Sequence, residues 1–560
     1  FLSAGFPIFL EKIDRPQLLS QLTDFSQWRK ILAKTYEERK RVHRPTMREF
    51  RLNKWVPGGI FGDLVRDDYA HVAGLVNAGD DRLKIPHWQD KRYAAPCQSS
   101  CPSAIPTQER IKLLRQGKVK EALELVLQFS PFPGSVCGEV CPNLCMDACT
   151  RQYLDKPVAM KELGRLSTEA AAPKPLPASG KQVAVIGGGP GGLSAAWQLR
   201  LMGHAVTVYE ADAEVGGKLR QVIPSDRLPA TVLGSEIDRI KSLGVEIRTG
   251  AQVDAPLFEQ IRQENDAVVV ASGAHNPVVI PFPGHERLVK GLEFLKQINS
   301  GAQPTVGERV VVIGAGNAGM DVCLGAYAMG AKQVTAIDIQ RPAAFKKEID
   351  HFKALGGQIL WPVQTQKIDE CGLHTKEGRL LEADTVIIAI GERPDLSYVP
   401  REWLTDKGMM EVDGCWQVTR APGVFALGDA IAPGLLTHAI GAGREVAEHI
   451  DIHLAGGVPV AKKKLEIIPQ ACLSKELFRP QNRGRFCVTD AKDEKNRCLS
   501  CGTCRDCNMC LEACPEGAIR RVDLGDDRYE YVSDDHVCIG CGICAGICPC
   551  GIWQMELNVG

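Results

Sequence analysis

No apolar run in this sequence approaches the roughly 20 residues that a membrane-spanning helix needs, and the most apolar stretches are short and broken by glycine. No such helix is therefore expected. Charge of one sign is lacking too: 67 Lys and Arg face 68 Asp and Glu, a net charge of −1. That balance leaves no electrostatic footprint for nucleic acid or an anionic membrane. No secretory signal is visible, and the chain opens on Phe1 rather than a methionine, which leaves room for residues upstream. Cysteine is scarce through the middle of the chain although the total is 22. The thiols are gathered instead between Cys97 and Cys149 and between Cys498 and Cys550. Tight C-x-x-C spacing beside nucleotide-binding signatures argues for metal ligation in a reducing compartment, not for disulfides. A cytoplasmic location is expected.

A length of 560 residues predicts three or four domains. Residues 1–95 are polar and helix-prone, with a basic stretch from Glu38 to Lys54; they read as a helical extension, solvated or used for docking, without chemistry. A helical cysteine domain is expected over 96–175, with a helix-like stretch from Ile111 to Leu127 and a Pro/Ala linker from Ala170 to Gly180. From Lys181 onward, short apolar runs ending in glycine alternate with helix-like segments, the pattern of a multidomain α/β chain with doubly wound sheets. The pattern starts twice, at Val183 and at Val310. Thr385 to Ile390 and Gly423 to Ile450 read as a return to the first of these domains. The expected boundaries are thus 181–301 with 384–455 for one nucleotide domain and 302–383 for the other. A Lys-rich linker (Lys462, Lys463, Lys464) then leads to a small α+β cysteine domain over 465–560.

Each start carries a strand followed by G-x-G-x-x-G and a helix. In the first, Gly187 permits the tight turn, Gly189 admits a pyrophosphate to the backbone, and Gly192 lets helix and strand pack closely. The next strand, His204 to Glu210, ends in an acid placed for ribose hydroxyls. The second copy uses Gly314, Gly316 and Gly319, and its following strand ends at Asp338. An acid there accepts hydrogen bonds from a free 2′-hydroxyl and repels a 2′-phosphate. Two dinucleotide sites suit a flavin plus a nicotinamide nucleotide, because a flavin can take a hydride and release electrons singly.

Further motifs sharpen this reading. Glu210 is followed by Gly216-Gly217-Lys218-Leu219; then come Arg227-Leu228-Pro229, Ala271-Ser272-Gly273-Ala274, Ala389-Ile390-Gly391 and Ala426-Leu427-Gly428-Asp429. With these, residues from about 97 to 455 resemble the glutamate synthase small-subunit family, which includes the corresponding half of dihydropyrimidine dehydrogenase. The resemblance implies that the first fingerprint, with Gly217, Lys218 and Leu219, holds the adenine half of FAD. It implies that Gly428 and Asp429 hold the ribityl-pyrophosphate, that Thr437 to Arg444 cover the flavin, and that the second fingerprint holds the nicotinamide nucleotide. NADPH-specific members carry a Tyr-Arg-Arg-like run after the second strand, where this chain has Asp338-Ile339-Gln340. NADH is therefore expected over NADPH, with Arg341 close enough to keep the alternative open.

Cys97-x3-Cys101 and Cys137-x3-Cys141-x3-Cys145-x3-Cys149 also resemble that family, whose cysteines share two [4Fe–4S] clusters. Two departures count against a full set. The family's additional C-x-x-C ahead of Cys97 is missing from Gln89 to Ala95, and Gly164 stands where a glutamate or glutamine completes one family cluster. One N-terminal cluster is expected, drawn from Cys101, Cys141, Cys145 and either Cys97 or Cys149; the alternative is a relic helical domain without a cluster.

The C-terminal signal is the strongest. Cys504-x2-Cys507-x2-Cys510-x3-Cys514-Pro, repeated as Cys538-x2-Cys541-x2-Cys544-x3-Cys548-Pro, resembles a bacterial two-cluster ferredoxin. In such runs the fourth cysteine ligates the other cluster. Cys504, Cys507, Cys510 and Cys548 should hold one [4Fe–4S] cluster, and Cys538, Cys541, Cys544 and Cys514 the second. Zinc is the alternative occupant, although zinc sites use simple C-x-x-C pairs. Cys498 and Cys501 form one more C-x-x-C, read as spare thiols or a further metal site; Cys323, Cys371, Cys415, Cys472, Cys487 and Cys550 read as buried or unligated cysteines.

The expected activity is electron transfer between NADH, FAD and [4Fe–4S] clusters, to or from ferredoxin or a partner subunit of a larger complex, with no general acid or base. The alternatives are the small subunit of a glutamate synthase and an assembly scaffold with purely structural nucleotide sites.

Overall fold

In the computed structural model, residues 83–461, 463–481, 494–525 and 528–558 are described. The expected helical extension lies outside them up to residue 82. Its end is not helical: Lys84–Trp88 is a strand. The described residues fall into two compact units, divided at Asp90/Lys91 and Arg505/Asp506. The larger runs from Lys91 to Arg505 and so takes in residues as far as Cys504 that the sequence pattern had grouped with the C-terminal cysteine domain.

Within the larger unit, the apolar runs become central strands. Gln182–Ile186 pairs in parallel with Ala205–Tyr209 on one side and Ala267–Val270 on the other. Glu246–Arg248 and Val424–Ala426 complete a five-stranded parallel sheet. Strands buried on both faces can be apolar at every position, which is why Val183, Ala184 and Val185 are all fully buried. The helix Pro190–Leu201 starts on a proline whose missing N–H costs nothing at the first turn. It crosses the helix Leu436–Leu454 so closely that a Cβ on Gly443 would sit 2.5 Å from the Gly191 carbonyl oxygen.

The second parallel sheet is built on Arg309–Ile313, flanked by Gln333–Ile337 and Thr385–Ile388, with Gln358–Leu360 and Val289–Lys290 at the edges. Here the expected boundary is corrected: Thr385–Ile388 belongs to this second sheet, paired Thr385 to Val310 through Ile388 to Ile313. Its run fits any buried parallel strand, so only the partner decides the domain. The return to the first sheet is made by Val424–Ala426.

The cysteine domain consists of short helices, among them Thr107–Arg115, Val119–Glu124 and Met160–Arg165, with Pro133–Val140 wound as a π-helix. Val126, Leu127, Phe132 and Val136 join the same apolar core as the first sheet. The Trp197 indole donates to the Leu127 carbonyl at 2.7 Å and the Gln198 amide to Gln128 at 3.2 Å. Glu236, fully buried on the helix Ala230–Ser242, accepts from the Gly134 N–H (2.6 Å), the Ser135 N–H (3.2 Å) and the Ser135 hydroxyl. Burial pushes its pKa up to about 7, against which these donors pull. A carboxyl raised above its ordinary 4.5 lends stability that is complete below about pH 4.5 and lost as pH rises through 7. Glu236→Gln should flatten that slope in thermal melts. Glu236→Ala, which strands three buried donors, should cost about 3–5 kcal/mol in denaturant titrations.

The smaller unit has two antiparallel pairs among its described residues: Lys84–Trp88 with Trp553–Leu557, and Ile519–Gly525 with Arg528–Ser533.

Among the described residues, no helix is long and apolar enough to cross a membrane.

Candidate functional site

The two fingerprints fold into the same device. Gly187 and Gly314 have φ of 108° and 112°, and a Cβ on either would lie 2.3 Å from a carbonyl oxygen, that of Ala271 or of Ala389. Gly192 and Gly319 would each press a Cβ to 2.0 Å from the carbonyl oxygen of the turn glycine. By contrast, a Cβ on Gly189 or Gly316 meets no protein atom within 4 Å, so the space against the backbone there is open to a ligand. The acids match as well. Glu210 accepts from the N–H of Gly188 (2.7 Å) and Asp212 (2.9 Å), Asp338 from those of Ala315 (2.9 Å) and Gln340 (3.0 Å). Burial pushes the Glu210 pKa up, with those N–H groups pulling it back.

Beside the first fingerprint lies a cavity of about 510 Å³, inside the range usual for cofactor sites. Gly187, Gly189, Glu210, Gly217, Lys218, Gly428, Asp429 and Thr437 all line it, as the sequence motifs imply. Leu219 does not; its side chain is buried in the apolar core. Lys218 Nζ sits 3.0 Å from Asp429 and 3.4 Å from Glu392, which holds the turn against the strand end. The Thr437 hydroxyl, in the first turn of Leu436–Leu454, is buried without a hydrogen-bond partner, as is Nδ1 of His275 on the cavity wall. Burial, then Lys296 and Lys218, push His275 down to about 4, so its ring is neutral. Orphaned polar groups aimed into a cavity call for a polar ligand. Asn317 and Ala318, inside the second fingerprint, line the same cavity, as does Cys141.

The thiols of the helical domain sort into two groups. Cys137 is pushed well up, first by burial and then by Cys141, Cys101 and Cys145. Cys97 is pushed well up by burial and then by Cys149, Cys498, Cys501 and, least, Cys145. For Cys145 the leading thiol neighbours are Cys101 and Cys141. Cys137, which the expected quartet left out, thus has Cys141, Cys101 and Cys145 as its thiol neighbours, while those of Cys97 are led by Cys149, Cys498 and Cys501; Cys145 packs in one apolar cluster with Cys97 and Cys149. Cys137 sits mid-way along the π-helix. Gly164 packs against this thiol's turn: a Cβ there would lie 3.0 Å from the Cys137 carbonyl carbon and 2.8 Å from the Pro133 carbonyl oxygen. Any longer side chain would collide with the turn that presents Cys137. The glycine at the position of the missing ligand was the available clue.

In the smaller unit the thiols gather crosswise. Cys510 is pushed up to about 11 by burial, with Cys548 and Cys507 as its thiol neighbours. Cys544 is pushed up to about 12 by burial, with Cys541, Cys538 and Cys514 around it. Cys504, the expected fourth member of the first group, belongs to the larger unit. Of the remaining cysteines, Cys323 and Cys415 are buried, Cys371 is exposed, and Cys487 lies outside the described residues. Among the described residues, no three His, Cys, Asp or Glu side chains close around one point as a single metal ion requires. A zinc site would draw its sulfurs to about 2.3 Å from the ion.

Three stretches match known families: residues 181–443 the pyridine nucleotide-disulphide oxidoreductases, 91–175 the dihydropyrimidine dehydrogenase domain II with its 4Fe-4S cluster, and 503–552 the 4Fe-4S dicluster domain. The NADPH-Fe(3+) oxidoreductase subunit beta of Geobacter sulfurreducens is 30% identical over 535 residues, covering 78% of this chain and 79% of the relative. The NAD-dependent dihydropyrimidine dehydrogenase subunit PreT of Escherichia coli is 31% identical over 383 residues, covering 65% and 92%. YgfK of Escherichia coli O157:H7, described as an oxidoreductase, is 29% identical over 505 residues, covering 82% of this chain and 48% of the relative. The chain thus spans about half the length of that curated relative.

Proposed function

This chain belongs to the family of flavin- and iron–sulfur-containing NAD(P)H oxidoreductase subunits, and from that premise we propose that it takes hydride from NADH on FAD and relays the electrons through [4Fe–4S] clusters to ferredoxin or a partner redox subunit. The observation that carries the reading is one cavity walled by both nucleotide fingerprints and by Cys141.

FAD suits the donor set, and supplies when bound a ring that accepts electrons in pairs and gives them up singly. Gly187, Gly189 and the start of Pro190–Leu201 would cradle its pyrophosphate, with Glu210 at the ribose. Thr437 and the N-terminal turn of Leu436–Leu454 would satisfy the far end, where the orphaned hydroxyl waits. Gly314, Gly316 and Gly319 would hold the nicotinamide nucleotide, with Asp338 at its ribose. Neutral His275 puts no charge on the wall, and no residue is needed to move a proton. Cys101, Cys137, Cys141 and Cys145 would hold the cluster nearest the flavin, and the C-terminal runs the two ferredoxin clusters. Thiolate clusters need a reducing setting, which supports a cytoplasmic location.

Anaerobic titration with NADH tests this. The purified chain should show the visible flavin band and lose it with one equivalent of NADH, and a one-electron acceptor should restore it. A colourless preparation, or a band indifferent to NADH, rules the reading out.

A further inference from the structure

Cys498 and Cys501 have no role in the function above, yet their loop is built like those that bind clusters. Ser500 has φ of 59° and Gly502 of 71°. The loop from Cys538 shows the same alternation, with Gly540 at 67° and Gly542 at 75°, and that from Cys504 shows it with Asp506 at 54° and Asn508 at 57°. Left-handed backbone is sterically unfavourable for a non-glycine residue, so Ser500 is not in this state by default. The hydrogen bond that goes with the turn recurs too: the Ser500 N–H donates to Cys498 Sγ at 3.3 Å, as the Gly540 N–H does to Cys538 Sγ at 3.4 Å.

The loop is bolted to the helical domain. Arg115 donates to the Ser500 hydroxyl (2.6 Å) and to the carbonyls of Cys498 and Lys495 (both 2.7 Å). Arg497 and Glu494, both essentially fully buried, pair with each other; Arg497 reaches Asp155 at 2.6 Å, and Glu494 accepts from the Ala159 N–H at 2.8 Å. Arg151, equally buried, donates to the Arg497 carbonyl at 3.3 Å. Buried charges are tolerated only in a matched lattice, so this one sets a single position for the loop. In that position Cys498 packs with Cys149 and Cys97 in one apolar cluster, and Cys501 meets Cys97 in the next. Cys501 Sγ also donates to the Thr150 hydroxyl at 3.4 Å, one residue from Cys149.

We propose that Cys97, Cys149, Cys498 and Cys501 hold a [4Fe–4S] cluster, the pair Cys498 and Cys501 being delivered to the helical domain from the far end of the chain. Four thiolates complete such a site, and none of them is used by the other quartets. Cys501 lies three residues before Cys504, a span of at most about 11 Å between Cα atoms. The site therefore neighbours a ligand of the first ferredoxin cluster.

The test uses the full chain, reconstituted anaerobically with iron and sulfide, with iron, zinc and flavin measured per chain. Wild type should approach sixteen iron atoms, about four for each of four clusters. The double variant Cys498→Ser with Cys501→Ser should lose about four of them and one low-temperature EPR signal, while keeping flavin and its bleaching by NADH. Unchanged iron in that variant, a wild-type plateau at about twelve, or zinc leaving in place of iron overturns the site. Should the double variant not accumulate, Cys501→Asp keeps a ligating oxygen and should alter one EPR signal; an unaltered spectrum is equally fatal. Failure of NADH to bleach wild type counts against the proposed function alone, because the iron comparison does not depend on it.

Discussion

Exchanging Gly192 for valine should yield a chain that purifies with less than about a tenth of its flavin, whereas the same exchange at Gly319 should leave flavin bound and slow its reduction by NADH at least about a hundredfold. In both places the new Cβ would fall 2.0 Å from the carbonyl oxygen of the turn glycine, Gly187 or Gly314. Backbone atoms on both sides cannot swing away as a side-chain tip can. The helix must back off its strand, at a cost at or beyond the usual 1–3 kcal/mol for overpacking, and the phosphate-binding turn goes with it. Because the two turns share their geometry, different outcomes would come only from the different nucleotides they serve. Flavin absorbance per chain and stopped-flow reduction read the two results separately. Equal flavin loss in both variants would refute the division of labour between the fingerprints. Gly234→Ala is the control: on the helix Ala230–Ser242 its Cβ meets no atom within 4 Å, and it should stabilise by about 0.5–1 kcal/mol.

The second large effect concerns the nicotinamide nucleotide. Asp338 presents a carboxylate whose oxygens already accept from Ala315 and Gln340 N–H groups at 2.9 and 3.0 Å. It is thereby held at the end of its strand, where the ribose hydroxyls are expected. A free 2′-hydroxyl can donate to it, while a 2′-phosphate meets like charge. A charge-assisted hydrogen bond of about 1.5–3 kcal/mol translates to about 10- to 100-fold. Wild type should favour NADH by that factor in kcat/KM for flavin reduction, and Asp338→Ser should bring the two nucleotides within about tenfold, chiefly by improving NADPH. A wild-type preference for NADPH would show that Arg341, not Asp338, reads the ribose.

Much of the site is legible in the sequence alone. The glycines, Glu210 and Asp338 are readable because each belongs to one strand–turn–helix–strand unit, whereas Lys218 and Asp429 pair through their side chains 211 positions apart and are readable only through their motifs. The C-terminal runs are readable because their spacing is itself the motif of the 4Fe-4S dicluster domain that residues 503–552 match. Thr385–Ile388 was misassigned because an all-apolar parallel strand carries no mark of its sheet. Leu219 was grouped with the cofactor residues although the turn hands its backbone, not its side chain, to the motif.

Local chemistry, then, is written in local order. Turns, fingerprints and cluster runs are stabilised by contacts between near neighbours, so the string of residues was enough to establish an α/β flavin and iron–sulfur chain. What required folding was partnership across the chain: which sheet a strand joins, that Cys137 comes beside Cys101, and that Cys498 meets Cys97 some 400 positions away. Such meetings are settled by burial and by the Arg151, Asp155, Arg497 and Glu494 lattice. Its charges find one another only once the apolar core has closed around them.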